Sequence, residues 1–315
     1  MLRRPLAPLP ALALAVVVAS GCRREAEDTA PPCAEAPAPA PTPTPAAADE
    51  ASASADAPGC RTTPGLGAIV WTQTSAEFAA NSVGAFAQAT LALDRALKDK
   101  KTSAADEQQG SFAKLPPAVI LDIDETVLDN SPYQAWLTRE GKTFELPTWA
   151  AWVAAAKAEA VPGALAFTQA AAAKGVTVFY VSNRDVAGEA ATRDNLARLG
   201  FPLRDAAEVD VVLLQNERPE WSSAKGTRRA AVAERYRIVM LVGDNLGDFT
   251  DQYKGSVDER AKVVDTHRER WGSRWIMIAN PMYGAWESAA SAPKADAAAS
   301  APPIPAAVVT WEGPG

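Results

Sequence analysis

Through the middle of the chain, short wholly apolar runs alternate with longer Ala-rich stretches. Ala118–Asp122, Val176–Val181, Val209–Leu214, Ile238–Val242 and Trp275–Ile278 are runs of the length and composition of buried strands. Gly163–Lys174, Ala187–Leu199 and Ser223–Arg235 lie between the first four and read as helices. Upstream, Phe78, Val83, Phe86, Leu91 and Leu93 predict a helix from about Ser75 to Lys98. Thr74 and Glu77 have the spacing of a capping box at its start. Strand, helix, strand repeated in this way predicts an α/β domain with a mainly parallel sheet. The longer insert Leu128–Val161 carries Tyr133, Trp136, Phe144, Trp149 and Trp152. Such an insert is either packing or a small cap over a ligand, and its place beside the first strand favours the cap.

Composition shortens the foldable part. Every Phe and Tyr, and eight of the nine Trp, fall between Trp71 and Trp286. The first 60 residues hold no aromatic, and Ala and Pro dominate from Thr29 to Gly59. A stretch without large apolar side chains cannot offset its chain entropy, so it reads as a solvated linker. Roughly 220 residues remain, enough for one well-cored domain with an insert. The tail from about Glu287 returns to Ala, Ser and Pro, with Ile304–Trp311 the candidate for docking.

Residues 1–21 have the layout of an export signal: Arg3 and Arg4, then the apolar run Ala11–Ala19, too short to span a bilayer. Ala19-Ser20-Gly21-Cys22 resembles a lipobox, with Ala where a large aliphatic is usual, and marks Cys22 for lipidation. The alternative is an ordinary signal cleaved after Gly21. The Ala/Pro linker is the spacer a tethered domain needs, which favours the lipoprotein. Arg23 after the Cys leans towards the outer membrane. The expected organisation is therefore a signal at 1–21, Cys22 and linker at 22–66, a catalytic domain at 67–288 with its insert at 128–161, and a tail at 289–315.

Loss of Arg3 and Arg4 takes the net charge from −7 to −9. Such a chain is no general binder of nucleic acid, and any anion it handles needs local cations. Cys33 and Cys60 lie in or beside the linker, without Cys-x-x-Cys spacing, and read as a minor staple or two unremarkable thiols. The single histidine, His267, excludes His-nucleophile phosphatases, Ser-His-Asp hydrolases and His-rich zinc sites. Acid–base work falls to carboxylates.

The strongest chemical signal is Leu121-Asp122-Ile123-Asp124-Glu125-Thr126, two Asp delivered at the carboxyl edge of a sheet, where open α/β folds bind ligands. A calcium loop would need Gly where Val127 stands. Val181-Ser182-Asn183-Arg184 and Val242-Gly243-Asp244-Asn245-Leu246-Gly247-Asp248 end the same way, and Ser223-Ala224-Lys225 opens a helix over the same edge. Any one of these is weak. All four at one edge, in this order, are specific.

In these segments the chain resembles the haloacid-dehalogenase (HAD) superfamily of phosphotransferases, and within it the class C acid phosphatases, the bacterial lipoprotein e family of 5′-nucleotidases. WTQTSAEF (71–78), ILDIDETVLDNSPY (120–133), AVPGA (160–164), VFYVSNR (178–184), LVGDNLGDF (241–249) and NPMYGAWE (280–287) carry the likeness. It implies a Rossmann-like three-layer α/β/α sandwich with a small helical cap. It implies Asp122 as nucleophile and Asp124 as general acid and base. Mg²⁺ would be held by Asp122, the Asp124 carbonyl and Asp244, with Asp248 in support, and Ser182 and Lys225 would bind phosphoryl oxygens. Asn183, Arg184 and Arg228 complete the expected substrate-binding set, although Arg228 more often pairs structurally with an Asp. An acidic optimum is expected, because Asp124 must enter protonated.

The family stacks a nucleobase between aromatics, and Phe144 and Tyr283 stand at the matching positions. That implies broad 5′-mononucleotide hydrolysis, nicotinamide mononucleotide included. The expected partners are a small phosphomonoester, a membrane reached through the lipid and a second copy of the chain. Competing readings are a dehalogenase, which has no use for Asp124, a phosphomonoesterase without base preference, and a nucleotide- or haem-binding lipoprotein without turnover. His267 lies outside every motif and is expected to be dispensable.

Overall fold

The computed structural model describes residues 65–204 and 209–290. The signal, Cys22, Cys33, Cys60, the linker to residue 64 and the tail beyond residue 290 lie outside the described residues. Two helices open the fold, α1 (Leu66–Thr74) and α2 (Ala76–Lys98), broken only at Ser75. The Ser75 hydroxyl donates to the Trp71 carbonyl at 2.6 Å and accepts the Phe78 N–H at 3.0 Å, so one residue ends a helix and caps the next. This corrects the Thr74–Glu77 capping box: Thr74 is the last residue of α1 and its hydroxyl bonds back to Val70 O at 2.7 Å. α2 buries Phe78, Phe86, Ala89 and Leu93 along one face and carries Arg95 and Lys98 in its last turn, where the helix dipole favours cations.

β1 (Pro117–Leu121) is followed by the insert. There β2 (Leu128–Asp129) pairs antiparallel with β3 (Glu159–Ala160), and α3 (Ser131–Glu140) and α4 (Leu146–Ala155) lie between them. The rest alternates: α5 (Ala164–Ala173), β4 (Thr177–Asp185), α6 (Glu189–Leu199), β5 (Val212–Gln215), α7 (Gly226–Ala233) and β6 (Arg237–Gly243). α8 (Val257–Thr266), β7 (Trp275–Met277) and α9 (Ala285–Ala290) complete it. The apolar run at 209–214 joins the ladder late, because Asp210 turns its carboxylate onto the Val212 N–H at 3.0 Å and is gripped by Arg193. α8 begins with a complete capping box, Ser256 and Glu259, which sequence reasoning passed over.

The five strands form one parallel sheet in the order β5-β4-β1-β6-β7. Among the described residues no helix is long and apolar enough to cross a membrane. Helices flank the sheet as a layered α/β fold requires: α2 lies against β6 and β7, α5 against β4, α6 against β5 and α7 against β6. β1, fully enclosed, pairs Leu121 with Tyr180 on one side and Val242 on the other. From β1 the chain first winds out through β4 to β5, then returns to place β6 on the other flank. The strand order thus reverses between β1 and β6, and loops leaving their carboxyl ends diverge around a crevice. Asp122 follows one of those ends and Asp244 the other.

Candidate active site

The backbone of β1 places the first carboxylate. The Asp122 N–H donates to Val242 O at 3.0 Å, one residue beyond the last ladder pair, so its side chain emerges where β1 stops. Lys225, the residue before α7, reaches the same point with its ammonium 2.5 Å from Asp122 Oδ1 and 2.6 Å from Asp248 Oδ1. Asp248 is aimed by a tight turn after β6, its Oδ2 accepting the Asn245 N–H at 2.9 Å. Gly243 makes that turn feasible: a Cβ there would lie 2.3 Å from Asp248 Cβ. Asp244 accepts from the Thr126 hydroxyl at 3.1 Å and the Asn280 amide at 2.9 Å.

Charge in this cluster is unbalanced. Burial, followed by the nearby Asp248 charge, pushes Asp244 from the ordinary 3.8 to about 7. Burial also raises Asp122 well above its usual range; Lys225 opposes this, while Asp248, Asp244 and Asp124 reinforce it. Burial pulls Lys225 down, but Asp122 and Asp248 outweigh it and hold the ammonium above its ordinary value. Asp122, Asp244 and Asp248 each offer a carboxylate oxygen, and these oxygens lie within 4.8 Å of one another. An all-oxygen donor set with surplus negative charge fits a hard divalent cation.

Asp124 stands apart from this cluster in a different environment. Arg184, only 2% exposed, donates to its Oδ1 from Nη2 at 2.8 Å and Nε at 2.9 Å, and Asn130 Nδ2 adds a third bond at 2.8 Å. Oδ2 receives only two long contacts, from Ser182 Oγ and Arg184 Nε, both at 3.3 Å. The next residue, Glu125, has a left-handed backbone (φ 59°), which turns its carboxyl inward instead of letting it follow Asp124. Its Oε1 accepts the Asn130 N–H at 2.8 Å, and Oε2 accepts from Asn130 Nδ2 at 3.1 Å and from the Tyr283 hydroxyl. Burial, then the adjacent Asp124 charge, raises Glu125 from 4.5 to about 8.

The carboxylates of Asp122, Asp124, Asp244 and Asp248 meet at one cleft of about 740 Å³. Asp122, Asp124, Ser182, Asn183, Arg184, Lys225, Asp244 and Asp248 line it, and so do Phe144, Trp149 and Tyr283. Phe144 is 55% exposed and meets Tyr133 edge-on at 6.4 Å and Trp149 at 6.1 Å between ring centres. Arg228 departs from expectation: it is fully buried, off the cleft, and lowered to about 10 chiefly by burial. Its Nη1 donates to Ser182 O at 2.5 Å and its Nη2 to Asn183 Oδ1 at 2.6 Å and Ser222 O at 2.7 Å, so it braces the loop under the cleft and pairs with no Asp among the described residues. His267 stacks 4.6 Å from Trp275 at the end of α8, away from the cleft.

Sequence reasoning assigned no role to Glu125, Asn130, Trp152, Arg229 or Asn280. Arg229 grips Glu107 and donates to the carbonyls of Gly247 and Asp248 at 3.1 and 3.2 Å, fixing the turn that carries Asp248. Glu125, Asn130 and Asn280 sit inside segments that drew attention, but a buried amide or acid inside a motif looks like any turn residue until its partners are known.

The parallel sheet with a carboxylate-and-lysine site at its switch point is that of a phosphomonoester hydrolase of the HAD type. Residues 67–286 match the family model described as HAD superfamily, subfamily IIIB (acid phosphatase), and the chain belongs to that family. A solved class C acid phosphatase from Bacillus anthracis is similar at 38% identity and TM-score 0.62, over 71% of this chain and 87% of that one. A second structure of the Bacillus anthracis enzyme, with tungstate bound, is similar at 36% identity and TM-score 0.61, over the same shares. The stem 31 kDa glycoprotein of Glycine max is 27% identical over 165 residues, and the match spans 52% of this chain and 58% of that relative.

Proposed function

We propose that the protein is an exported, lipid-anchored, Mg²⁺-dependent 5′-nucleotidase working through an aspartyl phosphate. The observation that carries the nucleotide reading is that Phe144, Trp149 and Tyr283 border the same cleft as Asp122, Asp124 and Lys225. Aromatic faces beside a phosphoryl site suit a nucleobase of any kind, at about 1–3 kcal/mol per stacked base. Nicotinamide mononucleotide falls within that range of substrates. Tungstate, bound in the Bacillus anthracis relative, is an oxyanion like phosphate, and the Lys225 and Ser182 donors here suit a phosphoryl group.

In this reading an Asp122 oxygen attacks phosphorus, the P–O bond to the nucleoside breaks, and Asp124 gives its proton to the departing 5′-oxygen. Water then attacks the phosphoaspartate, Asp124 takes the water proton, and Asp122 leaves as a carboxylate beside inorganic phosphate. Lys225 and Ser182 hold the equatorial oxygens as charge spreads over them. Asp122, the Asp124 carbonyl and Asp244 would hold Mg²⁺, with Asp248 supporting. When bound, the ion supplies positive charge against the phosphoryl oxygens and the crowded carboxylates. The Ala/Pro segment and Cys22 support a lipid tether, and Arg23 an outer-membrane destination.

The test uses the chain from residue 23 onward with adenosine monophosphate and p-nitrophenyl phosphate, with EDTA and after Mg²⁺ is restored. Higher kcat/KM for the nucleotide, loss of turnover with EDTA and no turnover in Asp122→Asn are expected. Equal efficiency on both substrates would reduce the protein to a general phosphomonoesterase. Activity indifferent to EDTA would remove the metal.

A further inference from the structure

The second helix of the insert reaches the Asp124 carboxyl through two tryptophans one turn apart. Trp149 lies 5.7 Å from the Arg184 guanidinium, above the ring face, and Trp152 Nε1 donates to Asn130 Oδ1 at 2.8 Å. An indole N–H can only donate, so it dictates which end of the Asn130 amide faces it. With Oδ1 turned to Trp152, and also 3.4 Å from Arg184 Nη2, the NH₂ end must face Asp124 Oδ1 and Glu125 Oε2. The flipped amide would set its oxygen against two carboxyl groups and its NH₂ against an indole N–H. Asn130 itself is fully buried and has no freedom to escape either choice.

We propose that Trp152 is a positioning residue for proton transfer: through Asn130 it holds Asp124 with Oδ1 saturated and Oδ2 left to exchange the proton with the leaving group. This rests on the reading of Asp124 as general acid. It makes the seating of α4 against α6 a condition for efficient departure of poor leaving groups. Aryl oxides, which leave without protonation, escape that condition.

The experiment follows leaving-group release in the first turnover, with ribose 5-phosphate as the alkyl ester and p-nitrophenyl phosphate as the aryl ester. Trp152→Phe, which keeps an aromatic ring and loses the donor, is expected to slow alkyl release on the order of 10-fold and aryl release less than about 2-fold, with KM unchanged. Asn130→Ser should reproduce the split, and thermal melts establish that each variant is folded at the assay temperature. Equal slowing of both esters by folded variants would overturn the inference, as would no slowing of either. Asp124→Asn separates the two levels. If it spares aryl release and abolishes alkyl release, the general-acid reading stands whatever Trp152 does; if it abolishes both alike, that reading fails first.

Discussion

Lys225 bridges Asp122 and Asp248, its ammonium 2.5 Å from the first carboxylate and 2.6 Å from the second. One cation thereby relieves a repulsion between groups that arrive from opposite sides of the switch point. Lys225→Met removes the bridge together with the proposed phosphoryl ligand. Turnover should fall on the order of 10²–10³-fold, and the melting temperature should drop because buried carboxylates lose their partner. Steady-state kinetics beside a melt at the same pH checks both; a kinetic loss below about tenfold would take Lys225 out of the chemistry.

Stability of the metal-free protein should decline with rising pH. Asp244 is held at about 7 and Glu125 at about 8, both above their unfolded values of 3.8 and 4.5. The folded state therefore binds more protons between those limits, and stability present below pH 4 is lost as pH climbs through 7 and 8. Melts in EDTA from pH 4.5 to 8.5 should show the fall. Mg²⁺ should stabilise more at pH 8 than at pH 5, because only ionised carboxylates bind it. A Mg²⁺ effect independent of pH would contradict the assignment of Asp122 and Asp244 as its ligands.

Gly243→Ala is expected to damage the site more than the sheet. Its new Cβ would fall 2.3 Å from Asp248 Cβ, against a side chain already tied to Lys225 and the Asn245 N–H. A cost of about 1–3 kcal/mol is typical of such crowding. Mg²⁺ affinity, followed by titrating activity, should weaken with it; an unchanged titration would show that Asp248 can shift without consequence.

Tyr283 has two separable parts. Tyr283→Phe keeps the ring but removes a donor from buried Glu125, so it should cost on the order of 1–2 kcal/mol in stability and leave nucleotide KM within about threefold. Tyr283→Ala should raise nucleotide KM about 5- to 100-fold while sparing p-nitrophenyl phosphate. Calorimetric melts and paired kinetics distinguish the two; if both variants behave alike towards nucleotides, stacking is not what Tyr283 contributes.

Apolar runs and helical periods reveal most of this fold, because β1, β5 and β6 are buried along nearly their whole length and α2 buries one face. The Thr74–Glu77 cap fails for a local reason. Two hydroxyl residues stand side by side, and which of them caps depends on α1 continuing to Thr74, which leaves Ser75 as the first extended residue. At the site, Asp122, Asp124, Asp244 and Lys225 were legible because each follows a strand or opens a helix at the same edge. Asn130 and Trp152 were not, since their meaning lies in a bond spanning 22 residues of insert. Arg228 misled for the opposite reason: a cation one turn from Lys225 is near the cleft in sequence, yet it turns beneath the cleft floor.

Gly65 and Ile69, at the very start of α1, are themselves part of the cleft wall. α1 thus serves both packing and recognition, since it also lies against α2 and α3. A protein trimmed to begin at Ala76 would retain the whole sheet, every carboxylate and Lys225, and still present its substrate with a doorway lacking one jamb. For this chain, the choice of first residue is also a choice of cleft shape.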